Sequence, residues 1–148
     1  MATAGCSAEI PLLVIVDDDT SIRISTQRLI RSLGFRAEVF ASAQKFLKSG
    51  CAQGTACLIL DLRLPSMNGL QLQRLLASGS RQVPIIFVSA YGSDQDKKEA
   101  NEAGAVDFLH KPVAEQALVS AIRTVLLRGA PRERYIGRTL NRVDELVR

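Results

Sequence analysis

The 148-residue chain has only three cysteines and one histidine, and no apolar stretch approaches the length of a membrane span. About 20 consecutive apolar residues are needed to cross a bilayer, so no membrane is implicated. Met1 to Glu9 has neither a basic start nor an apolar core, so a secretory signal is not expected there. Cys6, Cys51 and Cys57 form no CxxC pair, and His110 stands alone, which removes the usual zinc patterns. An odd number of scattered cysteines fits free thiols in a reducing compartment, and a cytoplasmic location is the expectation. Internal repeats and low-complexity segments are also missing. With 47% hydrophobic and 23% charged residues, the composition is that of one globular domain with a core.

The net charge of +4 is unevenly placed. Residues 128–148 carry six arginines against three acids, while residues 1–127 are nearly balanced. The basicity belongs to a tail, so direct nucleic-acid binding by this chain is not expected. Ile136, Leu140, Val143 and Val147 suit one face of a helix in that tail, which could pair with a copy of itself or bind an acidic partner. The domain reading is therefore a flexible 1–9, a folded 10–127 and a basic, helix-compatible 128–148.

Within the body, short apolar runs end in polar residues. Leu12–Val16 runs into Asp17-Asp18-Asp19, Cys57–Leu60 into Asp61, Ile85–Val88 into Ser89, and Val106–His110 into Lys111-Pro112. A shorter strand candidate covers Arg36–Phe40. Such runs read as buried strands of a parallel sheet. Helical stretches separate them: Thr20–Leu33 with Asp19 or Thr20 as cap, Ser42–Lys48, a helix capped by Asn68 with Leu70, Leu72, Leu75 and Leu76 as its apolar positions, the polar Asp94–Ala103, and a helix after Pro112 built on Ala114, Ala117, Leu118, Ala121, Ile122 and Val125. Residues 51–55 and 78–80 read as loops. The alternation predicts a doubly wound α/β fold, a five-stranded parallel sheet in the order 2-1-3-4-5 with five helices.

In that fold ligands sit at the carboxyl ends of the strands. Asp17, Asp18, Asp61, Ser89 and Lys111 would share that edge. Crowded carboxylates repel, and a hard divalent cation relieves the repulsion. Lysine and serine can hold phosphoryl oxygens, and a carboxylate can act as a phosphoryl acceptor. Taken singly, each residue has a plainer role: a strand-end Asp as helix cap, a loop hydroxyl, a solvated lysine.

The strings Val14-Ile15-Val16-Asp17-Asp18-Asp19, Leu60-Asp61-Leu62-Arg63-Leu64-Pro65-Ser66-Met67-Asn68-Gly69, Val88-Ser89-Ala90 and Gly104 to Pro112 resemble a response-regulator receiver domain, the CheY-like phosphoacceptor module of two-component signalling, and most of all its FixJ-like branch. The resemblance covers about residues 10–127. It implies that a histidine kinase or phosphotransfer protein phosphorylates Asp61. It also implies that Asp17, Asp18, Asp61 and the backbone carbonyl of Arg63 hold Mg²⁺, with Asp18 the preferred direct ligand of the acidic pair. Ser89 and Lys111 would contact the phosphoryl group, Phe108 would be the aromatic switch, and Lys111-Pro112 would be a cis peptide. Arg63 and Tyr91 occupy positions that tune access to the site. The output would be partner binding or dimerisation through the Asp94–Leu127 face. Two other readings compete. Asp17-x-Asp19-Thr20 is similar to the nucleophile motif of haloacid-dehalogenase-like phosphatases, although no acidic pair follows Lys111 before the tail. A degenerate receiver would serve only as an interaction module.

Overall fold

The computed structural model describes residues 10–79 and 82–129. Cys6, Ser80, the flexible segment expected at 1–9 and the helix expected in the tail lie outside these residues. Five strands form one sheet: β1 (Leu12–Val16), β2 (Arg36–Phe40), β3 (Thr55–Asp61), β4 (Ile85–Ser89) and β5 (Asp107–His110). Every pairing is parallel and the order is β2-β1-β3-β4-β5. Helices α1 (Thr20–Ser32), α2 (Ala43–Ser49), α3 (Gly69–Ala77) and α4 (Asp94–Glu102) make the crossovers, and α5 (Glu115–Gly129) follows the last strand. This is the doubly wound order expected from the alternation of runs. Among the described residues no helix is long and apolar enough to cross a membrane.

Alternation along the strands divides the core into two layers, because successive side chains leave a strand on opposite faces. Leu13, Ile15, Ile59, Ile86 and Val88 pack with Ile30 of α1 and with Leu118, Ile122 and Val125 of α5. Val14, Val16, Leu58, Leu60 and Phe87 pack with Phe46 of α2, Leu72 and Leu76 of α3 and Ala100 of α4. Each fully buried Leu, Ile or Phe in these layers contributes roughly 1.5–3 kcal/mol of transfer free energy.

The helices begin where side chains can satisfy their open N–H groups. Asp19 accepts from Ile22 N at 3.1 Å, which makes it, and not Thr20, the cap of α1. Asn68 and Gln71 form a capping box on α3, and Ser93 and Asp96 form one on α4. Gly50 ends α2 at φ 76°, a left-handed conformation that favours glycine. On the outer side of edge strand β2, Gln27 Nε2 and Arg31 Nη2 donate to the carbonyl of Ala37 at 3.2 and 3.3 Å.

Four local expectations change. Cys51–Gly54 is a turn of 3-10 helix and not loop, and β3 starts at Thr55. α4 stops at Glu102, with Ala103 as its cap. Leu75 is 47% exposed, because the buried stripe of α3 centres on Gly69, Leu72, Gln73 and Leu76. Gln73 takes the inward place that Leu75 would have held, and its Nε2 donates to Ala100 O of α4 at 3.1 Å. Ala114 precedes α5 and Ala117 is exposed; Val119 and Leu126 complete the buried face instead.

Candidate phosphoacceptor site

The site grows out of the ends of four strands. Asp17 follows β1, and its N–H makes the bond to Phe40 O at 3.1 Å beyond the last paired residues. Asp61 is the last residue of β3 and sits opposite Val88. Ser89 ends β4, and Lys111 follows β5 with its N–H donating to Ser89 O at 3.0 Å. Lys111-Pro112 is a cis peptide, as the resemblance implied.

Asp17, Asp61 and Ser89 are buried, while Asp18 faces solvent. One carboxylate oxygen each from Asp17, Asp18 and Asp61 lie within 4.8 Å of one another. Lys111 Nζ sits 2.8 Å from Asp17 Oδ2 and donates to Asp61 Oδ2 at 3.1 Å. Asp17 Oδ1 accepts from Asp19 N at 2.9 Å, and Asp61 Oδ1 accepts from Arg63 N at 3.1 Å. Asp17 Oδ2 has the ion pair but no aligned hydrogen bond. It is the one buried side-chain polar atom among the described residues without a hydrogen-bond partner.

The electrostatics follow from this crowding. Burial holds the Asp61 carboxyl above the usual carboxylate range and the Asp17 charge pushes the same way; the Arg63 N–H and Lys111 pull it back only in part. Burial alone would lower the Lys111 ammonium, but its contacts with Asp17 and Asp61 outweigh that and leave it raised. Three acids against one close ammonium make a pocket short of positive charge. A buried carboxylate oxygen whose one close partner is the Lys111 ammonium, in an all-oxygen donor set, suits a hard divalent ion such as Mg²⁺.

Ser89 Oγ accepts from Tyr91 N at 3.2 Å, so the hydroxyl is tied to its own loop. The Tyr91 side chain does not cover the site; it is 77% exposed. Arg63 Nη2 reaches Tyr91 O at 3.5 Å and lies 4.0 Å from Asp96 of α4. Asp18, Arg63, Pro65, Asn68 and Asp96 line one open cleft of about 520 Å³ beside the carboxylates. Cys57 is fully buried and burial pushes its thiol far up, as suits an inert thiol.

Phe108 is half-buried on β5, its ring centroid 5.9 Å from those of Phe87 and His110, with Lys97 Nζ 5.9 Å from the ring centre. A Cβ on Gly92, in the loop from β4 to α4, would stand 2.5 Å from Phe108 Cζ. Gly92→Ala is therefore expected to turn the Phe108 ring outward, since the far end of a rotatable side chain yields before backbone does. Stability should fall by about 1 kcal/mol. In nuclear magnetic resonance spectra the contact between the Phe87 and Phe108 rings should weaken.

Sequence reasoning brought Asp17, Asp18, Asp61 and Lys111 together correctly and placed Ser89 on the same edge. It passed over Arg23, whose Nη1 donates to Asp17 O at 2.7 Å, and the close packing at Gly69 and Gly92. A signal for Arg23 was present: it lies one helical turn beyond the capping segment Asp19-Thr20.

A doubly wound sheet that gathers acids and a lysine at one edge defines a CheY-like fold, and the comparisons carry this to a family. The profile of the response regulator receiver domain matches residues 13–123. The chain belongs to this family, the receivers of two-component systems. It is 44% identical over 115 residues to response regulator protein TmoT of Ectopseudomonas mendocina, matching 78% of this chain and 52% of that one. It is 42% identical over 123 residues to response regulator protein TodT of Pseudomonas putida, matching 83% and 54%. Among solved structures, response regulator StyR superposes with a TM-score of 0.77 at 41% identity, covering 84% of this chain and 63% of that one. The chain thus spans about half the length of the curated relatives it matches.

Proposed function

We propose that the chain is a Mg²⁺-dependent phosphoacceptor switch, with residues 10–127 as the receiver and Asp61 as the acceptor. The observation that carries this reading is Asp61 clustered with Asp17 and Asp18, with Lys111 Nζ bridging Asp17 Oδ2 at 2.8 Å and Asp61 Oδ2 at 3.1 Å. A carboxylate carries its own charge and needs no general base to attack phosphorus. Lys111 would pass from the bare carboxylates to a phosphoryl oxygen, and the Ser89 hydroxyl, freed from Tyr91 N, would donate to another. Asp17, Asp18, Asp61 and the Arg63 carbonyl would hold Mg²⁺, which when bound supplies charge neutralisation for the acids and the incoming phosphoryl group. Phe108, packed on Gly92 two residues beyond the loop serine's neighbour, would follow that loop.

A histidine kinase or phosphotransfer protein would supply the phosphoryl group. A protein partner, or a second copy of the chain, would read the Asp94–Leu127 face, because a switch works only through differential binding to its two states.

The test is incubation with Mg²⁺ and acetyl phosphate, followed by mass spectrometry. One phosphoryl group on Asp61 is expected, with none on Asp61→Asn and none in chelator. Label on Asp17 would favour the phosphatase reading instead. Unlabelled protein that still binds Mg²⁺ would favour a receiver used only for interaction.

A further inference from the structure

The turn that carries Asp17 and Asp18 is tied down by a residue with no part in the chemistry described so far. Arg23, half-buried in the second turn of α1, donates from Nη1 to the main-chain carbonyl of Asp17 at 2.7 Å. Its Nη2 donates to Thr20 Oγ1 at 3.1 Å. Its own N–H donates to Asp19 O at 3.0 Å. A carbonyl on a fully buried residue needs a partner, and here the sheet has ended. The bond is to a charged donor and short, so it is among the stronger kind.

This carbonyl belongs to the peptide plane that joins Asp17 to Asp18. A peptide is rigid, so fixing its oxygen fixes the direction in which the next residue leaves. The Asp17 carboxylate is held independently by Lys111 and by Asp19 N. Among the described residues none bonds to the exposed Asp18 carboxylate, so its direction depends on the backbone beneath it.

We infer that Arg23 is a positioning residue: by clamping the 17–18 peptide from below it aims Asp18 at the carboxylate cluster and so sets the affinity of the site for a divalent cation. The inference rests on the Mg²⁺ site proposed above. The fork geometry matters, because the rigid planar guanidinium reaches its two acceptors from two separate nitrogens in fixed directions, which the single nitrogen of a flexible ammonium does not reproduce.

The sign of the effect separates positioning from charge. A nearby cation repels Mg²⁺, so if Arg23 acted by charge alone, its removal would tighten Mg²⁺ binding. A positioning role predicts the reverse. By calorimetry on the full chain, Arg23→Met should weaken Mg²⁺ about tenfold, the scale typical of residues that orient metal ligands. Arg23→Lys should recover only part of the loss, and Thr20→Val, which removes one acceptor and leaves the charge, should weaken binding in the same direction. With acetyl phosphate, the Mg²⁺ concentration for half-maximal labelling should rise more than the maximal rate falls.

Tighter binding, or unchanged binding with a lower melting temperature, would overturn the inference. Should Arg23→Met fail to fold, Thr20→Val and Arg23→Lys still decide the matter, since wild-type affinity in both would overturn it. Asp18→Asn serves as the reference. If the wild-type chain binds no Mg²⁺, the site reading falls and this inference with it. If wild type binds, Asp18→Asn does not and Arg23→Met matches wild type, only the inference falls.

Discussion

Lys111→Met is expected to destabilise the fold by about 3 kcal/mol in Mg²⁺-free buffer at neutral pH, the lower end for removing one partner from a buried charge group. The side chain of Lys111 is 16% exposed and those of Asp17 and Asp61 only 1% and 6%, so the variant leaves two buried carboxylates facing each other. A fall of roughly 10 °C in melting temperature would follow. The pH dependence fixes the cause. The Lys111 ammonium is held above its ordinary 10.5, so its stabilisation is complete below that pH and is lost as pH rises through the folded value. The gap between wild type and variant should therefore close at strongly alkaline pH. It should also narrow towards acid, where Asp61, already held above the ordinary carboxylate value, takes up a proton and the repulsion ends. Added Mg²⁺ should restore part of the lost stability. Thermal melts across pH would check all of this, and a gap independent of pH would refute the electrostatic account.

Gly69→Ala is the second large effect. A Cβ there would lie 2.7 Å from the carbonyl oxygen of Asp61, 3.0 Å from Leu62 Cα and 3.0 Å from Phe87 Cε1. Two of these atoms are backbone and cannot swing aside. Gly69 N also donates to Leu62 O at 2.9 Å, which draws the start of α3 against the end of β3. The expected loss is about 2–3 kcal/mol, read from the urea midpoint, with a fall in the rate of acetyl phosphate labelling as Asp61 is pushed out of place. Gly54→Ala is the control. Its added Cβ would meet nothing within 4 Å, and its φ lies outside the left-handed range. Stability there should hold or rise slightly, because alanine restricts the unfolded chain.

What could be read from the sequence follows from how each feature is encoded. Strand ends announce themselves, because a buried apolar run stops where a polar residue stands; Val16 to Asp17 and Val88 to Ser89 are such steps. The order of the strands follows from alternation and handedness. Contacts between elements are another matter. Periodicity says which residues share a face, not which neighbour meets them, so Leu75 was placed inward while Gln73 took the position by bonding to Ala100 O. Arg23 stands one helical turn past its capping segment, but only the fold sets Asp17 O within its reach. The approach of Gly69 to Asp61 O and of Gly92 to Phe108 depends on distances that no single-chain pattern records.

The arginine and glutamine folded over β2 have a consequence for how copies of this chain can meet. A sheet edge is normally an open template, ready to take a further strand from another molecule. Here the outward carbonyl of Ala37 is already engaged by Gln27 and Arg31, and the opposite margin is a strand of only four residues followed at once by a lysine and a proline. Growth of the sheet from molecule to molecule, the route to fibrous aggregates, is discouraged at both margins. Association is left to the side chains of the helices and loops, where it can be specific and can be reversed.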